Sequence, residues 1–582
     1  MRFPVSRSRL ARLAVVAGGL AIASLIVAFL TAARTDALTP REQALHVLNR
    51  LSFGPRPGDV ERVAQRGVAS WIEEQLHPER IPDGRVEARL SAYPTLSMSN
   101  AQIIARFEAP LLEARKRIKA ERAANAKADE GEATEAEVAK VRDLIPPEQR
   151  PKRILDDLTS ARILRATESE RQLNEVMVDF WMNHFNVYAS KGQDRFAILS
   201  FERDTIRPHI WGTFEELLQA TAKSPAMLFY LDNARSVADE DHRPFQRARA
   251  ANAAGTAEAR AASAAGTARA PRGLNENYAR ELMELHTLGV DGGYTQKDVT
   301  ELARILTGWS IGRPRAEGQA APAARGFGRR GGMAMRAAEA PGEFVFRAAA
   351  HDSGTKTLLG VAYAPGGLSE GERAIAMLAH HPATAHHIAF QLCQRLVADE
   401  PPKELVDRVA RRFLANGGDL RDTVRTIVTS PEFFDPQYYR SKIKSPFEYV
   451  VSALRAVGGA TDGRAIASKI AEMGEPLYLC QPPTGYSDTA DAWVSSGALL
   501  ARLNFALDLA QGRLPGTTAD PGIVRLAGST PGRGVDSAAH WLIGTDISQD
   551  TLATITKRVA EDGSGETLVA GLLLGSPEFQ KQ

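Results

Sequence analysis

Apolar side chains recur at intervals of three and four along most of this chain, the spacing that gathers them on one side of an α-helix. In 171–188, "RQLNEVMVDFWMNHFNVY", Leu173, Met177, Phe180, Trp181, His184 and Tyr188 share the apolar side, and Arg171, Glu175, Asp179 and Asn183 form a polar stripe. In 275–289, "NENYARELMELHTLG", a wheel places Tyr278, Leu282, Leu285 and Leu288 together and Glu276, Arg280, Glu284 and Thr287 opposite. Two residues break that pattern. Glu281 falls between Leu285 and Leu288, and His286 falls between Leu282 and Ala279, so the wheel predicts a carboxylate and an imidazole in the buried face. Thr39 and Pro40 start another helix as N-cap and first residue, with Gly54 as its stop, and Thr295 with Asp298 resembles a capping box. Period-two alternation is confined to 342–360, where Phe344 and Phe346 alternate with Val345 and Arg347 and Asp352-Ser353-Gly354 supplies a turn. The expected fold is mainly α: a large multi-helix, bundle-like body with one small β-hairpin and disordered insertions.

Two stretches carry no periodic apolar face. These are 240–273, with its repeated "AAGTA", and 313–342, both rich in Ala, Arg and Gly and read as low-complexity insertions. The run 111–153 is densely charged and reads as a solvated helical hairpin broken near Asp129–Gly131. Ser-Pro pairs at 224, 430 and 576 punctuate successive helices. At the N-terminus, Arg2, Arg7, Arg9 and Arg12 precede the uncharged run Leu13–Leu30. A basic flank before such a run predicts export, with 1–37 as a cleaved signal or retained anchor and the helical domain 38–582 outside the cytoplasm.

Composition changes this picture little. With 582 residues, 44% apolar and 24% charged, the chain can bury a large core. Basic and acidic residues number 72 and 70, a balance that argues against a dedicated nucleic-acid surface. Two cysteines make neither a disulfide framework nor a zinc motif.

Candidate chemistry rests on polar residues in apolar settings. His184 among aromatics is either a core histidine satisfied by one hydrogen bond or a desolvated base with a lowered pKa. Glu281 and His286 point roughly 140° apart on one helix at 100° per residue, so they need separate partners. Arg280, Arg304, Asn183 and His184 are the candidates. The loop "HDSGTK" groups His351, Asp352 and Lys356. The residues three before His184 and His286 are Trp181 and Met283, so neither helix has the Glu-x-x-His of a di-metal carboxylate bundle. The histidines of 380–387 lack His-x-x-x-His spacing. Neither a phosphate loop nor a dinucleotide fingerprint nor a Gly-x-Ser-x-Gly elbow occurs, so no metal and no cofactor is expected.

Several long segments then point one way. "LNRLSFGPRPGDVERV", "MVDFWMNHFNVY", "GLNENYARELMELHTLGVDGGYTQKDVTELARILTGW", "HDSGTKTLLG", "HPATAHHIAFQL", "SPEFF", "KIKSPFEYVVSALRA" and "QPPTGYSDTADAW" resemble, in this order, the bacterial family known as domain of unknown function 1800. The resemblance runs from about residue 42 to the C-terminus and implies an exported protein, with no catalytic residue to carry over. It also implies a neighbour of the uncharacterised family 1501, which is similar to phosphatases and sulfatases. The expectation is an extracytoplasmic binding or assembly protein of the cell envelope. The alternative is an envelope hydrolase using Asn183, His184, Glu281, His286, His351, Asp352 and Lys356.

Overall fold

A computed structural model describes residues 36–124, 135–239, 273–312, 340–520, 534–562 and 565–582. The expected export segment, both insertions apart from their edges, and the break of the charged hairpin lie outside them. The described chain is mainly α. The helices that frame the argument are α1 (Pro40–Arg50), α2 (Lys152–Glu168), α3 (Gln172–His184), α4 (Asn277–Glu284), α5 (Gln296–Ile305), α6 (Leu368–Ala379), α7 (Pro382–Leu396), α8 (Pro446–Ala456), α9 (Ser496–Ala510) and α10 (Glu566–Leu574). Capping boxes start α1 at Thr39 with Glu42, α5 at Thr295 with Asp298, and α8 at Ser445 with Glu448. Each satisfies backbone N–H groups that a helix start otherwise leaves bare.

One continuous apolar core joins these helices. Helix α2 packs on both α3 and α8, α8 on α9, and α9 along α10, while α4, α5, α6 and α7 pack in succession. Trp181, Phe185, Phe214 and Phe413 sit fully buried where α3 meets its neighbours. Among the described residues no helix is long and apolar enough to cross a membrane.

The β-structure differs from the expected hairpin. Strand β1 (Trp309–Ile311) pairs antiparallel with β2 (Phe344–Phe346), and β3 (Lys356–Leu358) with β4 (Val361–Tyr363). The turn therefore falls at Leu359–Gly360, both at positive φ (49° and 79°), the conformation a two-residue hairpin demands. Asp352-Ser353-Gly354 does not turn one strand onto the next, because Asp352 is drawn into an ion pair with Arg304 of α5. A third two-stranded pair joins Ala460–Thr461 to Thr517–Thr518.

Helix α4 also ends earlier than its wheel suggests. It stops at Glu284, and the chain tightens so that the N–H of Leu288 reaches the carbonyl of Met283 at 2.8 Å. Beyond that point the 100° projection no longer holds. His286 is buried as expected, but Glu281 is only half-buried and its carboxylate makes no hydrogen bond or ion pair among the described residues. The expected buried partner of Glu281 is absent because its position faces the margin of the core rather than its centre.

Candidate functional site

The sequence-predicted polar residues separate into three neighbourhoods. The first gathers His351, Asp352 and Lys356 against α5 and α6. The Lys356 ammonium, fully buried, meets the Glu370 carboxylate at 2.8 Å. His351 stands between them and the backbone: Nε2 lies 3.3 Å from Glu370 Oε2, and Nδ1 lies 2.9 Å from the Thr307 carbonyl. Arg304 grips Asp352 with two nitrogens, at 2.9 and 3.2 Å, and reaches Glu301 at 2.8 Å. Charge here is matched group by group. Such a closed network locks strand β3 to α5 and α6.

The second neighbourhood is an imidazole chamber. His184 ends α3, His286 follows α4, and His387 projects from α7; the ring centroids of His286 and His387 lie 6.0 and 6.4 Å from that of His184. Backbone carbonyls hold two of the rings, His184 Nε2 at 3.3 Å from His286 O and His387 Nε2 at 3.1 Å from Leu285 O. Burial, then the neighbouring imidazoles, lower the pKa of all three, that of His286 to about 3. They are neutral, and Trp181 and Phe185 seal His184 from solvent. Among the described residues no three His, Cys, Asp or Glu side chains are grouped to hold a metal ion.

The third is open. A cleft of about 40 Å³, counted as space for water centres, lies between α3 and the loop 481–493. The polar stripe of α3 forms one wall. Asp179 is bridged by Arg162 and by Arg395 of α7, the latter at 3.2 Å, and Arg395 is itself paired with Glu448. Asn183 pins the opposite wall: its amide donates to the Tyr486 carbonyl at 2.8 Å, and its oxygen accepts the Tyr486 N–H at 2.7 Å. Asn186 donates to the carbonyls of Cys480 and Pro482. Gly485 is required where it sits, because its φ is +73° and a Cβ would come within 2.5 Å of Asn183. Tyr478 occupies the left-handed region at φ 63°, held by its hydroxyl on Glu202 and by the Arg162 guanidinium 5.0 Å from its ring centre. A side chain kept in that conformation by its surroundings marks a site of imposed geometry.

Two acids complete the cleft. Burial, and then the Asp179 charge, push the Glu475 carboxyl up to about 8, although its Oε2 accepts the Phe447 N–H at 2.8 Å. Burial also raises Asp488, whose carboxylate accepts no hydrogen bond among the described residues. Tyr486 and Trp493 stand tilted to one another at 56°, ring centres 6.0 Å apart.

The family profile described as "Protein of unknown function (DUF1800)" matches residues 46–581. The chain belongs to this family. No curated protein and no solved structure matches it. In this DUF1800 chain the cleft draws its walls from the segments "MVDFWMNHFNVY", "KIKSPFEYVVSALRA" and "QPPTGYSDTADAW". Of the seven residues singled out from sequence, only Asn183 lines it. The structure brings His184 and His286 together, and separately His351, Asp352 and Lys356; among the described residues no bond or ring contact joins the two groups. Glu475, Asp488, Tyr486 and Trp493 escaped sequence reasoning because they lie outside regular helices or at their ends. The available signal was the density of Pro, Gly, Tyr, Asp and Trp in 481–493, a composition that loops carrying function share.

Proposed function

We propose that the protein is an extracytoplasmic binding protein of the cell envelope, and that the cleft between α3 and the 481–493 loop takes a small polar ligand or the end of a larger one. One observation carries this reading: an open, partly aromatic cleft is held in fixed geometry by Asn183, Tyr478 and the Arg162–Asp179–Arg395 bridge. Concave sites with a few converging polar groups are the usual form of small-molecule sites. The histidines first suspected of catalysis are sealed in the core, so the binding reading has the stronger support. It places the chain beside a phosphatase- or sulfatase-like partner of family 1501, delivering or holding its substrate.

A second reading has one observation in its favour. Glu475, a carboxylic acid that keeps its proton near neutrality, lies close to Asp179, and pairs of carboxyls in unlike environments are how hydrolases divide acid and base roles. Calorimetric titration with solubilised cell-wall glycopeptides separates the two. Binding that disappears in Trp493→Ala and persists, with the ligand chemically unchanged, in parent and Glu475→Gln supports the binding protein. Turnover by the parent that stops in Glu475→Gln supports the hydrolase. Export is read from a reporter fused after residue 60; activity inside the cytoplasm would remove the envelope from the account.

A further inference from the structure

We infer that this cleft is built for an ammonium group, so that its ligand is an amine-bearing molecule seated between Asp488, Glu475 and the Tyr486–Trp493 ring pair. The inference rests on the binding reading above and adds the chemical class of the ligand.

Hydrogen-bond supply and demand make the first argument. Apart from the guanidiniums of Arg162 and Arg395, which engage Asp179 and Glu448, the cleft's side-chain donors are committed elsewhere. Asn183 and Asn186 hold loop carbonyls, the Tyr478 hydroxyl bonds Glu202, the Tyr486 hydroxyl bonds Pro476 O at 2.8 Å, and the Trp493 indole N–H bonds Ser487 O at 3.0 Å. What remains is acceptor. Asp488 lines the cleft with a carboxylate that accepts nothing among the described residues; Glu475, 7% exposed, lines it too and already accepts the Phe447 N–H. A ligand that satisfies Asp488 must bring a donor. A buried polar group left without a partner is costly, so the site favours whatever supplies one.

Charge gives the second argument. Asp179, Glu448 and Asp488 stand near Arg162 and Arg395, and Asp179 and Glu448 already engage those two guanidiniums. A further cation near Asp488, Lys442, is paired with Asp399 and donates to the Asp488 backbone carbonyl at 2.9 Å rather than to its carboxylate. Asp488 is left without an ion pair among the described residues. A phosphate or sulfate would meet repulsion from its carboxylate, and a cation would meet attraction that the uncharged Glu475 does not oppose.

The ring pair makes the third. An alkylammonium is attracted to the face of Trp or Tyr, and more strongly when desolvated. The Tyr478 ring is already occupied by Arg162, whereas no cation is placed over Tyr486 or Trp493 among the described residues. The volume, about 40 Å³, fits a few water-sized groups, the scale of an aminomethyl end rather than a whole sugar ring.

The test uses the full-length protein and two probes of matched chain length, the charged n-butylammonium and the neutral 1-butanol, followed through the Trp493 indole resonance by 15N NMR. Trp493→Phe assigns that resonance. Butylammonium is expected to saturate the shift at a concentration at least tenfold lower than butanol. Asp488→Asn should reduce that preference to within about threefold while the melting transition stays in place. Equal affinities for the two probes, or a preference untouched in Asp488→Asn, overturns the ammonium assignment and leaves the cleft a binding site of another kind. Silence of the Trp493 resonance towards both probes also overturns it, and the glycopeptide titration then decides the binding reading on its own.

Discussion

The His351–Lys356 cluster and the Asp179 cleft hold the same kinds of side chain, yet they finish in opposite states. Around Lys356 each charge meets its opposite: ammonium with Glu370, guanidinium of Arg304 with Asp352 and Glu301, imidazole with a carbonyl and a carboxylate. Around Asp179 the arginines are matched, but Asp488 is left over and Glu475 bonds only neutral groups, with aromatic rings lining the same cleft and a way in from solvent. Polar residues in apolar surroundings are therefore not evidence of function by their type. A satisfied network holds helices together, and an unsatisfied one in a cleft waits for a partner.

The comparison breaks most sharply at Glu370. Glu370→Gln strands a fully buried lysine, and removing one partner of a buried pair costs roughly 3–5 kcal/mol. Urea denaturation should show that loss, and Lys356→Met combined with Glu370→Gln should lose less than the sum of the single changes because the two sites touch. A neutral Glu370→Gln would mean that the cluster is not a closed lock.

The next effect is a pH slope. The Glu475 carboxyl stands at about 8 in the folded chain against an ordinary 4.5, so across that window the folded state keeps a proton that the unfolded chain has lost. Stability contributed by this group is therefore full below about pH 4.5 and declines as pH rises towards 8. At roughly 1.4 kcal/mol per unit of pKa difference, the decline amounts to a few kcal/mol. The parent should lose stability relative to Glu475→Gln between those values in denaturation series at stepped pH; parallel curves would contradict the protonated acid.

Asn183→Ala comes third. It leaves the N–H and carbonyl of Tyr486 without their side-chain partner, a cost of roughly 1–3 kcal/mol. Amide exchange at Tyr486 should rise well above that of the rest of the core. Glu281→Gln should do least, within about 0.5 kcal/mol, because a half-buried carboxylate without a partner has little to lose. A loss of several kcal/mol there would restore the buried partner that the helical wheel led one to expect.

What the sequence made legible follows from which forces are local. The helices around Thr39, Thr295 and the 171–188 stripe were readable because capping chemistry and a 3.6-residue period are written in neighbouring residues. The class of fold came with them. Strand pairing was not readable: Phe344–Phe346 joins Trp309–Ile311 across a long intervening stretch, and no local pattern names that partner. The imidazole chamber was half legible, since His184 and His286 both broke apolar faces, while His387 was read only as one of several histidines in 380–387 without metal-binding spacing. The cleft was the least legible part. Its acids come from a helix-end segment and a loop, and what makes them notable is that neither meets a cation among the described residues, a property of three-dimensional packing alone.

The central claim is that the cleft, and not the histidine neighbourhoods, is where this protein meets its ligand. Hydrogen–deuterium exchange of the full chain, with and without solubilised cell-wall glycopeptides, tests it most directly. The account predicts slowed exchange in 481–493 and at the C-terminal end of α3, with 351–370 unchanged. Protection appearing in 351–370 or around His286, with 481–493 unaffected, would contradict it.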